Sequence, residues 1–155
     1  MREVEVVGVR VEMPTNQPLV LLRETEGSRY LPIWIGAVEA SAIAYAHQGT
    51  ETVRPLTHEL MQRIVEALGD ELDEVRIVDV RDGIFFASLV FASGAEVEAR
   101  PSDSIALALR TGAKIVCAED VLDAAGIASS DDEEEVVEQF REFLDHVEPE
   151  DFEQP

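Results

Sequence analysis

Arg100–Arg110 reads RPSDSIALALR, and this stretch decides the fold. A strand stops at Pro101, whose fixed φ suits the first turn of a helix. Asp103 sits just inside the helix start and Arg110 near its end, each complementing the dipole there. The residues between them are almost wholly apolar. The same device recurs in LPIWIGAVEASAIAYAHQG, Leu31–Gly49, where a strand passes through a turn to Glu39, just inside an Ala/Ile-rich helix. Working outward, VVGVR (Val6–Arg10) lines up with IVDVR (Ile77–Arg81), PLVLLRETEGSRYLPI with FFASLVFASGAEVEAR, and EASAIAYAHQG with DSIALALRTG. Each half reads strand, strand, strand, helix. The expectation is an internal duplication, and an α+β domain of two related βββα halves.

This register predicts strands near 2–12, 18–24, 29–35, 73–81, 84–92, 95–100 and 114–117, with helices near 37–48, 57–68, 102–111, 119–125 and 132–147. Gly27, Asp82-Gly83 and Ser93-Gly94 fall between alternating apolar runs, where hairpin turns use positive φ. Gly49, Gly69, Gly112 and Gly126 follow helical patterns, the place of a left-handed C-cap. In the second helix Leu56, Leu60, Ile64 and Leu68 recur every fourth residue with Met61 alongside, which predicts a buried face. His58, Glu59, Gln62, Arg63 and Glu66 then form the opposite, polar face. AIAYA and IALAL carry no polar face, so the first and third helices are expected in the middle of the molecule, packed on the sheet. The helix at 57–68 bridges the two halves.

With 155 residues, 46% of them hydrophobic, the chain is long enough to bury about two-thirds of its unfolded surface. Residues 1–127 read as one domain and 128–155 as an acidic linker with an amphipathic helical tail. Cys117 is the only cysteine, which excludes an intrachain disulfide and a Cys-based zinc site; between Val116 and Ala118 it reads as a packed small hydrophobe, and Trp34 reads as core. MREVEVVGVRVE alternates as a strand does, and no run approaches ~18 apolar residues, so a cytoplasmic protein with no membrane partner is expected.

Net charge is −21, and residues 131–155 hold 12 acids against one base, Arg141. The remaining 130 residues hold 21 acids and 11 bases, so even they repel a polyanion at long range. In the tail, Val136, Val137, Phe140, Phe143, Leu144 and Val147 form a stripe at helical spacing. It suits either a cap folded on its own domain or a docking helix for another subunit or partner, and a homo-oligomer is expected.

No Gly-rich phosphate loop is present. His58-Glu59 opens like a zinc-protease motif, but Gln62 stands where the second histidine is required. Three histidines and one cysteine, scattered, make a poor transition-metal set; carboxylates still suit a hard cation. The segments LPIWIGAVEASAI (Leu31–Ile43), RPLTHELM (Arg54–Met61) and RPSDSIALALR, with KIVCAEDVL after them, resemble in order and spacing the bifunctional nuclease (BFN) domain family over about residues 2–126. The tail FREFLDHVEPEDF resembles extensions on bacterial members. The resemblance implies a duplicated α+β fold with a split, mixed sheet, and degradation of both DNA and RNA. It places the family's motif positions at Glu39, Arg54, His58, Arg100, Asp103 and Arg110. Glu59 stands where many relatives have aspartate, and Lys114 where they often have proline; neither change removes a group the chemistry needs.

Phosphodiester hydrolysis requires an activated water, stabilisation of charge on the phosphate and a proton for the leaving oxygen. In this reading Glu39, His58 and Asp103 are catalytic. Glu39 and Asp103, equivalent in the two halves, hold Mg²⁺ or Mn²⁺, which lowers the pKa of bound water and clamps phosphate. His58 acts as acid or base, and Arg54, Arg100 and Arg110 bind phosphate in bidentate fashion. The same residues also read as architecture. Acids in a first turn and an arginine in a last turn complement helix dipoles, and Arg100 then pairs with Asp103 or Glu39 as a clamp between halves. The expected function is a divalent-metal-assisted nuclease acting on DNA, RNA or both. The alternative is a non-catalytic interaction or regulatory protein with an acidic docking tail.

Overall fold

Runs of alternating burial build a sheet from two three-stranded meanders. In chain order the elements are β1 (Arg2–Glu12), β2 (Gln17–Glu24), β3 (Arg29–Trp34), α1 (Ala37–Gln48), α2 (Thr57–Ala67), β4 (Leu72–Arg81), β5 (Ile84–Phe91), β6 (Glu96–Ala99), α3 (Pro101–Thr111), β7 (Lys114–Cys117), α4 (Glu119–Ala125) and β8 (Ile127–Ala128). The computed structural model describes residues 1–12 and 15–128. The helix expected over 132–147 and its apolar stripe lie outside the described residues.

The strands form one eight-stranded mixed sheet in the order β6-β5-β4-β7-β1-β2-β3-β8. β1–β2–β3 and β4–β5–β6 are antiparallel meanders, each followed by a helix. β7 lies between them, antiparallel to β1 over Arg2–Val4 and parallel to β4 over Glu74–Ile77. The sheet is therefore pinched at its centre, because these short ladders alone join the meanders. Between β4 and β5, Asp82 (φ 52°) and Gly83 (φ 79°) are both left-handed, as a two-residue hairpin with the strands' own twist requires. Gly126 differs from expectation. Its φ is −74°, and what excludes a side chain is space: a Cβ would meet the Leu122 carbonyl oxygen.

β5 buries every second residue (Phe85, Ala87, Leu89, Phe91), so one of its faces is packed. β2 is buried on both. Val20 and Leu22 join the main core beneath the helices, with Ile43, Val75, Ile77, Ile105 and Leu107. Leu19 and Leu21 belong to a second cluster on the far face, with Tyr30 and Trp34.

The helices correct two expectations. α3 does lie in the middle, with Ser104, Ile105, Ala106, Leu107 and Ala108 buried between α1, α2 and the sheet. α1 does not: only Ala40, Ile43 and Ala46 are buried, while Val38 (80% exposed) and Tyr45 (44%) face outward. On α2 the stripe Leu56, Leu60, Ile64 and Leu68 is 43–81% exposed rather than buried. The inward residues are Met61 and Val65, which pack on the core, and His58. These lie on the same helical face at i, i+3 and i+7. The fourfold leucine repeat is one position, ~100°, around the helix from Met61 and Val65. α2 packs chiefly on α3, so one face is covered and the stripe is left to solvent.

At the edge of the first meander, Glu24, 4% exposed, accepts from Arg29 Nε at 2.6 Å. Arg29 also reaches Glu119 (2.8 Å) and Asp123 (2.7 Å) on α4, tying the β2–β3 hairpin to that helix. Its guanidinium is held above its ordinary pKa, first by Glu24 and then by Glu119. Among the described residues no helix is long and apolar enough to cross a membrane.

Candidate functional site

Three helices begin close together, and none is capped by the side chain of its own N-cap residue, Gly36, Leu56 or Arg100. Each has an acid at its third position: Glu39 in α1, Glu59 in α2 and Asp103 in α3. An acid there offsets the positive end of the helix dipole. At Gly36 a Cβ would meet the Glu39 carboxylate folded back over the helix start, and that flexible side chain would have to turn aside.

Arg100, at the N-cap of α3, joins two of these acids. Its Nε (3.0 Å) and Nη2 (2.8 Å) donate to Asp103 Oδ2, and its Nη1 donates to Glu39 Oε1 at 3.0 Å. The other Asp103 oxygen lies 3.0 Å from His58 Nε2. The chain Glu39–Arg100–Asp103–His58 thus crosses the starts of α1, α3 and α2. It grades from a nearly buried imidazole (13% exposed) to a guanidinium 43% exposed. The His58 hydrogen bond, and then Arg100, hold the Asp103 carboxyl below the usual carboxylate range, against an opposing effect of burial. Asp103 in turn raises Arg100, with Glu39 adding to it. An ionised carboxylate can only accept, so the proton between Asp103 and a neutral His58 belongs to Nε2 and the lone pair to Nδ1.

The other sequence-predicted residues lie apart from this chain. Arg110 donates to the Thr50 carbonyl at 3.4 Å, at the opposite end of α3. That is seven residues, about 10 Å, along the axis from Asp103. With Glu39 meeting Arg100 at one end and Thr50 meeting Arg110 at the other, α1 and α3 run side by side in the same direction. Arg54 is exposed in the loop before α2, and its guanidinium has no partner among the described residues. Glu59 pairs with Arg63 on the flank of α2 (3.0 Å). The His58–Asp103 contact was not anticipated from sequence; 45 residues separate the pair, and no local pattern marks it.

The two carboxylates expected to hold Mg²⁺ or Mn²⁺ both face the guanidinium of Arg100, at 3.0 Å from Glu39 and 2.8 Å from Asp103. The positive charge between Glu39 and Asp103 is already that of Arg100. Among the described residues no group of three His, Cys, Asp or Glu side chains is placed to ligate a metal. Trp34 and Cys117 are buried, at 5% and 0% exposure, and lie outside the site. Burial pushes the Cys117 thiol up to about 12, which suits packing and not nucleophilic chemistry.

The family model of the bifunctional nuclease domain matches residues 20–130. An uncharacterized protein of Mycobacterium tuberculosis strain CDC 1551 / Oshkosh is 55% identical over 161 residues, covering 98% of this chain and 98% of its own length. An uncharacterized protein of strain ATCC 25618 / H37Rv matches to the same extent.

Proposed function

The chain belongs to the bifunctional nuclease domain family, and we propose that it hydrolyses phosphodiester bonds in DNA and RNA at the junction of its three helix starts. The observation that carries this reading is the His58–Asp103 contact at 3.0 Å, beside a partly exposed arginine. His58 Nδ1 takes a proton from the attacking water while Asp103 stabilises the imidazolium that forms. Arg100 and the exposed Arg54 bind the phosphate oxygens as negative charge grows on them, assisted by the helix N-termini. The imidazolium then returns its proton to the leaving oxygen. Glu39 acts through Arg100 and is a positioning residue. So is Arg110, which holds the loop that carries Arg54.

The charge balance supports a second reading, a non-catalytic interaction or regulatory protein. Residues 1–130 hold 21 acids against 11 bases, so any nucleic acid is bound against the long-range field. Cleavage should then fall less steeply with salt than for a basic nuclease. Purified wild type, His58→Ala, Asp103→Asn and Glu39→Gln are compared on single- and double-stranded DNA and on RNA, each with and without EDTA. His58→Ala is expected to lose about 10²–10⁴-fold in rate. Cleavage by His58→Ala at the wild-type rate overturns the assignment, and no cleavage by wild type on any substrate favours the second reading. EDTA reads separately whether Arg100 yields its place to a divalent cation.

A further inference from the structure

Leu56, Leu60, Ile64 and Leu68 form one row along α2, and none of them is buried. Val53, three residues ahead of the row, is fully exposed as well. The side of α2 that meets α3 is taken by Met61, Val65 and His58, so the apolar arc of this helix is wider than the surface that covers it among the described residues. We infer that a second copy of this chain covers the row, its own α2 laid antiparallel across a twofold axis beside residue 62.

Geometry and area select this occupant. Residues four apart form a row inclined ~26° to the helix axis, and two such rows lie along one another when the axes cross at about 50°, the commonest helix packing. With the twofold beside residue 62, Leu60 meets Ile64 of the second copy and Leu56 meets Leu68, so each large side chain finds an aliphatic partner. The four residues leave about 400 Å² uncovered, the size at which a patch on a soluble protein marks an interface. Val53 and the polar border of the row bring each copy to roughly 600–800 Å², about one partner's share of a stable interface.

Charge removes the other occupants. The border of the row carries one base and two acids, Arg63 bonded to Glu59 and Glu66 bonded to Gln62. A helix that lies on an anionic membrane has Lys and Arg along that border, and a surface that tracks phosphates has them too. On a chain of net charge −21 this face suits neither. It suits an apolar helix whose own border is mixed, and a second α2 is such a helix. Two chains of this charge repel at long range, so added salt should tighten the pair.

Full-length wild type should sediment at twice the chain mass at tens of micromolar. Leu60→Glu sets two carboxylates beside the axis and should give the monomer mass with the cooperative melt retained. Val78→Glu, in a hollow with Phe86, Ser88 and Glu98 that no residue of α2 lines, should leave the dimer intact. A wild type of monomer mass would overturn the proposal, as would a Leu60→Glu protein that stays dimeric or a Val78→Glu protein that does not. The register has a separate test, because Cys117 is buried and adds no reactive thiol. Leu60→Cys and Ile64→Cys chains, mixed and oxidised, should form a 60–64 disulfide between copies in preference to either self-pair. Self-pairs alone would mean a parallel arrangement and refute the antiparallel one. A dimer that forms no disulfide at all would place the interface away from α2.

Discussion

Asp103→Ala removes the residue on which the helix junction turns, and the structure sets the size of the effect. The carboxylate gives up one contact to His58 and a two-point contact to Arg100. Charge-assisted hydrogen bonds contribute ~1.5–3 kcal/mol each when buried, but Asp103 is 32% and Arg100 43% exposed, so solvent screening leaves only part of that. Arg100 retains Glu39 and open water. His58, 13% exposed, loses the one acceptor its Nε2–H has among the described residues, at ~1–3 kcal/mol. The helix-start charge adds ~0.3–1 kcal/mol. Together these give about 2–4 kcal/mol, a fall in Tm of roughly 5–12 °C for a chain of this size. Glu51→Ala, an exposed loop change, should stay within ~0.5 kcal/mol. The pH dependence has a definite sign. Asp103 is held below the ordinary carboxylate range, so its contribution is complete above ~3.9 and is lost as pH falls through the depressed value. Scanning calorimetry at pH 7 and along an acid series should show the gap between wild type and variant closing only at low pH. A variant melting within a degree of wild type at pH 7, or a gap that widens on acidification, would refute the reasoning.

Arg29→Ala takes the nearest cation from the Glu24 carboxylate, whose side chain is 3% exposed, and leaves it Arg2 at 3.7 Å and the backbone N–H of residue 29. Urea unfolding should show a loss of ~1.5–3 kcal/mol, with Arg29→Lys recovering part of it. Cys117, its thiol pushed up to about 12 by burial, should stay silent to thiol reagents at pH 8 and react only as fast as the protein unfolds. On α2, Ile64→Glu should change stability by no more than ~0.5 kcal/mol because the residue is 49% exposed. The exposed stripe of Leu56, Leu60, Ile64 and Leu68 is the apolar patch a twofold interface would use, so the same change should lower the sedimenting mass of the expected homo-oligomer. An unaltered mass would exclude α2 as its interface.

Element positions were legible because turn residues and apolar periods agree along this chain. Pro101, the Asp82-Gly83 hairpin and the glycines closing α1 and α3 fix boundaries through local sterics alone, and β7 and α4 fall where their patterns put them. β8 escaped notice because two residues carry no period. Burial on α2 misled for a different reason. Leucines at every fourth position mark a stripe, but nothing in the spacing tells how many neighbours a helix has. α2 packs mainly on one side, and the weaker pair Met61 and Val65 takes that side together with His58.

The site divides along the same line. Arg100 and Asp103, three residues apart at a helix start, form a local pair that sequence displays openly. Glu39 and His58 reach that pair only through tertiary structure, across 61 and 45 residues. One geometric fact shapes the charge pattern of the group: α1 and α3 run in the same direction, side by side, as the contacts at both ends require. Parallel helices bring two N-terminal acids together, and two carboxylates at one place need a positive charge between them. A metal ion or an arginine satisfies that need equally well on electrostatic grounds. What distinguishes them is that Arg100, at the N-cap of α3, is already attached within reach of both acids and needs no ion from solvent. Both acids face the guanidinium, and among the described residues the histidine nitrogen turned away from Asp103 has no hydrogen-bond partner. For that reason His58, and not the carboxylate pair, is the residue whose substitution should decide whether this junction is an active centre.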